Sequence, residues 1–177
     1  MKKTVWIFGL IIGAVLVINM VAMVQMIYSN VTHKSNDLVG YATMVLIFSL
    51  VFFGVRNYRS KQPGNQLSFG KAFKTGALIA FTAATVYVVV WLIYYYLFVP
   101  DFIEVYTTCV LRQCTPSDLP LKTQELQNLK EMYKNPLFVI LITYSEVLPV
   151  GLLVALISGL ILKKKAKINS TDHQQQI

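Results

Sequence analysis

The chain has 177 residues, 55% of them hydrophobic and 14% charged, with a formal net charge of +8. An average soluble domain carries roughly 25% charged residues, so this balance excludes an ordinary water-soluble domain, and the high apolar content equally excludes a disordered chain. Two cysteines are too few for a secreted disulfide scaffold, which leaves an integral membrane protein of about one domain.

Residues 4–32 carry no charged side chain and no histidine, enough for one helix across a bilayer core of about 30 Å. A first span is expected at about 5–28. Lys2 and Lys3 give it the basic start of a signal peptide, but the apolar run is about twice a signal core and Val21-Ala22-Met23 offers no small-x-small cleavage site. Residues 38–55 are equally uncharged and predict a second span, near the lower length limit. The connection after it, to about residue 74, contains Pro63-Gly64, suited to a type II turn, and Ser68, an N-cap for a helix starting ahead of the membrane. Gly64 to Lys71 is no phosphate loop: its glycines are one residue too far apart, Ala72 replaces the metal-binding hydroxyl, and no strand precedes it.

A third span is expected at 75–99. Beyond it, residues 101–135 form the largest soluble piece. Phe102, Val105, Tyr106, Cys109, Val110 and Gln113 recur at helical spacing, and Leu126, Leu129 and Tyr133 stripe a second helix. Thr115-Pro116-Ser117-Asp118 reads as the cap of that second helix, with Pro116 at its first position. A short amphipathic helical hairpin results, either a cap over the bundle or a partner-binding surface. Cys109 and Cys114 could be bridged only if the helix ended between them, so two free thiols are expected. A fourth span, 136–162, is interrupted only by Glu146. The domain therefore runs over 1–165, followed by a disordered cytoplasmic tail at 166–177. Runs this long without alternation are helical rather than barrel strands, and the fold class is an all-α membrane protein with four transmembrane helices.

Orientation follows from the basic residues. With both termini inside, the cytoplasmic segments gather Lys2, Lys3, Arg56, Arg59, Lys61, Lys71, Lys74, Lys163, Lys164, Lys165 and Lys167, whereas the outer ones hold Lys34, Arg112, Lys122, Lys130 and Lys134 beside six acids. The positive charge is thus membrane topology, with anionic lipid as its partner, and nucleic acid is excluded because the charge does not share one folded face. Trp6, Tyr28 and Tyr94-Tyr95-Tyr96 fall at the expected interface levels.

Small-residue stripes, Gly9-x-x-x-Gly13, Gly76-x-x-x-Ala80-x-x-x-Ala84 and Gly151-x-x-x-Ala155-x-x-x-Gly159, all fall in the cytoplasmic half. They predict a bundle tight inside and more open outward. Glu146 is the residue whose presence needs explaining, since a carboxylate near mid-span costs about 2.5–3.5 kcal/mol on insertion scales. Counted at about 1.5 Å per residue, Asn19 lies at the same depth, with Thr43, Tyr87 and Trp91 near it, and Pro149 should free the carbonyl of Ser145 as a further acceptor. The candidate polar site is therefore Glu146, Asn19, Tyr87, Trp91 and Pro149. Either a protonated Glu146 fixes helix register there, or it titrates in a cavity reached from outside and carries a proton, ion or solute.

The strings S-F-G-K-A-F-K at Ser68–Lys74, Y-V-V-V-W-L-I-Y-Y-Y at Tyr87–Tyr96, P-D-F at Pro100–Phe102, M-Y-K-N-P at Met132–Pro136 and E-V-L-P-V-G at Glu146–Gly151 resemble the bacterial family called domain of unknown function 4199. The resemblance implies a bacterial multi-span membrane protein of this length, and neither an activity nor catalytic residues. His33 and His173 fall on opposite sides of the membrane, so no metal is expected, and no cofactor motif is present. The expectation is an inner-membrane protein that is not an enzyme, acting in envelope assembly, regulation or as a scaffold, with a homo-oligomer or a protein partner through the outer hairpin. The alternative is a small transporter or channel component using Glu146.

Overall fold

A computed structural model describes residues 1–29 and 37–163, the side chains of 37 and 38 aside. The expected disordered tail at 166–177, His33, His173, Lys34 and the lysines at 164, 165 and 167 lie outside the described residues. The chain is all-α: α1 Lys2–Ser29, α2 Asp37–Phe48, α3 Leu50–Ser60, α4 Phe69–Phe98, α5 Phe102–Gln113, α6 Leu119–Tyr133 and α7 Pro136–Leu162. Among the described residues four helical stretches are long and apolar enough to cross a membrane, namely α1, Val39–Ser60, α4 and α7.

The second span, expected at about 38–55, runs over Val39–Ser60 and is divided into α2 and α3. Ser49 interrupts it: its hydroxyl donates to the Leu46 carbonyl at 2.6 Å, and its N–H reaches both Val45 O at 2.9 Å and Leu46 O at 3.3 Å. A serine bonding back to its own helix loosens the regular ladder, and α3 resumes in a tighter turn with the Phe52 N–H on Ser49 O at 3.0 Å. That continuation carries Arg59 to the end of α7, where its Nη1 donates to Leu162 O at 3.4 Å. A cation is favoured at that carbonyl end.

In the next connection the Asn65 N–H donates to Gln62 O at 2.9 Å, and Gly64 takes φ 61, the left-handed conformation that a type II turn requires at this position. Ser68 occupies the N-cap of α4, although its hydroxyl makes no cap bond. The cap of α6 falls three residues later than Pro116 at the first helical position predicts. Asp118 is the N-cap and Pro120 stands in the first turn, because Thr115 turns the chain first, accepting the N–H groups of Asp118 and Leu119 at 3.1 Å each and donating its hydroxyl to the Asp118 carboxylate at 2.6 Å. Asn135 ends this segment and starts α7, its side chain accepting the Leu137 N–H at 2.9 Å, with Pro136 at the first helical position. As expected, Cys109 and Cys114 are not joined in a disulfide.

Helix α4 is the central element, with α1 on one side and α7 on the other. Its small-residue stripe makes that approach possible. A Cβ added at Gly76 would lie 2.9 Å from Ala155 Cβ, and one at Gly151 would lie 2.8 Å from both Ala80 Cβ and Phe48 Cε1. Gly9 and Gly13 meet Thr82 and Val86 of α4 in the same manner. Ile12, Phe48, Val51, Val55 and Ile79, all fully buried, fill this seam. A second cluster, of Met20, Val24, Trp91, Tyr95, Ile103 and Val139, joins the bundle to the hairpin, against which Leu129 and Tyr133 pack.

Between the hairpin helices, Lys130 Nζ lies 2.7 Å from Glu104 Oε1 with both side chains more than half exposed. The carboxylate holds the Lys130 ammonium above its ordinary pKa. Exposed pairs contribute little, so Glu104→Ala should leave the unfolding midpoint in detergent nearly unchanged, whereas Leu126→Ala, which empties a buried position, should shift it clearly.

Candidate functional site

Where the hairpin meets the bundle, the packing opens into a cavity of about 270 Å³. Helix α1 contributes Asn19, Met20, Met23, Val24 and Ile27; α2 contributes Gly40 and Met44; α4 contributes Tyr87 and Trp91; and α7 contributes Thr143 and Glu146. The hairpin closes it with Phe102, Ile103, Tyr106, Leu129 and Tyr133. Its rim is tied by Tyr28, whose hydroxyl donates to Asp101 Oδ1 at 2.7 Å, joining the end of α1 to the α4–α5 corner.

The walls are aromatic and held at fixed angles. Trp91 meets Phe102 edge to face at 5.1 Å and 84°, and Tyr95 behind it meets Tyr133 at 5.4 Å and 78°. Such offset and T-shaped pairs are the favoured arrangement of ring quadrupoles. Trp91 is only 5% exposed and lines the cavity together with Tyr133. Burial pushes the Tyr133 phenol above its ordinary pKa and the Glu146 carboxylate adds to the shift. The phenol therefore stays neutral and keeps its proton as a donor.

Glu146 is exposed rather than packed away and lines the cavity, as a charge taken out of water requires. The Thr143 hydroxyl, one turn away, is already committed to Val139 O at 2.7 Å. Half-buried Asn19 presents its carboxamide to the same space. Of the residues expected to share a polar layer, Glu146, Asn19, Tyr87 and Trp91 do converge on this cavity. Pro149 does not; it is exposed and sits one turn further along α7, about 200° around the helix from Gly151 of the seam. Thr43 also stays outside, its hydroxyl spent on Val39 O at 2.8 Å. The hairpin's contribution, above all Tyr106 and Tyr133, is absent from the sequence expectation. Its signal was the apolar stripe of α6, which shows that this face is covered without showing by what.

Among the described residues no group of three or more His, Cys, Asp or Glu side chains could hold a metal ion. Residues 7–164 match the family described as protein of unknown function (DUF4199). The chain belongs to that family. The DUF4199 match takes in every residue of the cavity and the seam beneath it, so both fall within the family's own domain. No curated protein and no solved structure matches the chain significantly.

Proposed function

We propose that this DUF4199 protein is a non-catalytic component of a bacterial inner membrane, crossing it four times with both termini cytoplasmic, and that it serves envelope assembly, regulation or scaffolding by binding at its outer, hairpin end. The observation that carries this reading is the cavity lying above a closed seam: it sits between the bundle and the hairpin, and the Gly76–Ala155 and Gly151–Ala80 approaches leave the opposite half densely packed. A binding site has that shape more than a conduit does. The orientation draws on the basic residues at the seam end, Arg56, Arg59, Lys61, Lys71, Lys74 and Lys163, each adding about 1 kcal/mol of attraction to anionic lipid. The non-catalytic part draws on a sequence without a nucleophile–base set. A homo-oligomer or a protein partner would engage through α5 and α6, and size measurement in detergent tests the first of these.

One observation favours a second reading, as a carrier component: Glu146 is open to the cavity. Glu146→Gln separates the two. Assembly and unfolding midpoint should be retained in both cases, and proteoliposomes of the wild type should show no gradient-driven flux that the variant abolishes. Flux lost specifically in the variant would move Glu146 from a binding group to a coupling group and sink the binding reading.

A further inference from the structure

Lined by one carboxyl and several aromatic rings, the cavity has a chemistry of its own. Trp91, Tyr87, Tyr106 and Tyr133 present rings, Glu146 presents a carboxyl, and Asn19 presents an amide to one volume of about 270 Å³. A cation is attracted to the negative face of an aromatic ring, most strongly to Trp, and the interaction grows when water is excluded. A small inorganic cation would call instead for a shell of oxygen ligands, and an anion would meet the Glu146 carboxyl and ring faces of the wrong sign. An apolar body bearing positive charge satisfies both the rings and the acid. Methionines Met20, Met23 and Met44 complete the wall with soft, adaptable contacts suited to methyl and methylene groups.

We propose that the hairpin-end cavity binds an organic ammonium, its cationic head between Trp91, Tyr133 and Glu146 and its alkyl substituents toward the methionines. This rests on the reading of the cavity as a binding site. Such a head is found on free small amines and on amine-bearing phospholipids, and both sources can reach a cavity at this level of the bundle.

The sequence supplies its own reporter. It contains two tryptophans, Trp6, 61% exposed on α1, and Trp91 in the cavity, so Trp6→Phe leaves Trp91 as the single tryptophan fluorophore. The full chain carrying that change, in nanodiscs of phosphatidylglycerol, is titrated with (2-hydroxyethyl)trimethylammonium and with 3,3-dimethylbutan-1-ol, which has the same shape without the charge, at constant ionic strength. The expected result is a saturable change in Trp91 emission with the charged probe at a concentration at least about 10-fold lower than with the neutral one, and loss of that preference on adding Glu146→Gln. Equal responses to the two probes overturn the proposal while leaving a binding cavity in place. A Trp91 that neither probe perturbs overturns the proposal, and if acrylamide also fails to quench it the binding reading falls as well. Because the probe comparison is made without altering Glu146, a poorly folded variant does not decide the outcome. Adding phosphatidylethanolamine to the nanodiscs distinguishes the sources: a lipid headgroup as ligand shifts Trp91 emission by itself and weakens the soluble probe competitively, whereas a free amine as ligand leaves both unchanged.

Discussion

Replacing Gly151 by valine is expected to destabilise the bundle by about 3 kcal/mol or more, at the upper end of overpacking costs. A Cβ there would meet Ala80 Cβ and the Phe48 ring, each at 2.8 Å. Neither neighbour can yield cheaply. Ala80 Cβ is fixed to the α4 backbone, and Phe48 is fully buried, so the α4–α7 approach itself must widen. In lipid, where hydrophobicity does not distinguish helix faces, that approach is the main source of association. Gly70→Ala supplies the contrast. It lies in the first turn of α4, nothing stands within 4 Å of an added Cβ, and the change should be neutral or stabilising by up to about 1 kcal/mol. Denaturation in mixed micelles, read by the loss of helical circular dichroism, measures both. A Gly151→Val protein as stable as Gly70→Ala would show that the seam is not closed as described.

The second large effect is expected at Trp91→Ala. Removing a large buried aromatic costs about 3–5 kcal/mol, and here it also takes away the ring that Phe102 meets edge to face. The hairpin should loosen while the seam, built from other residues, persists. Hydrogen exchange should therefore rise across Phe102–Gln113 and Leu119–Tyr133 and change little around Gly76 and Gly151. Uniform exchange along the chain would mean that hairpin and bundle unfold as one unit.

The four spans were legible because an uncharged run of span length admits few other structures. The break at Ser49 was not, since a serine in a membrane helix more often bonds back without interrupting it, and whether the helix yields depends on what packs beside it. The shift of the α6 cap from Thr115 to Asp118 reflects competing turn signals around Pro116 and Pro120, with Thr115 turning the chain first by accepting two N–H groups. The cavity was half legible. Counting residues gives depth along a helix, and it set Glu146, Asn19, Tyr87 and Trp91 at one level. Pro149 entered the expected set through the Ser145 carbonyl it should free, and it lies a turn beyond Glu146, outside the lining; Tyr133 did not enter it, because it comes from a helix that folds back over the bundle and counting along a span cannot place it.

The most direct measurement on the whole picture is the accessibility of position 146. With Cys109→Ala and Cys114→Ala removing the native thiols, Glu146→Cys is treated with a membrane-impermeant trimethylammonium-ethyl thiosulfonate, first on intact cells and then on inverted membrane vesicles. Modification from the cell exterior, with protection in inverted vesicles, is the result expected of a cavity at an outward hairpin end above a sealed cytoplasmic half. Modification from the cytoplasmic face alone, or from neither face, would contradict it.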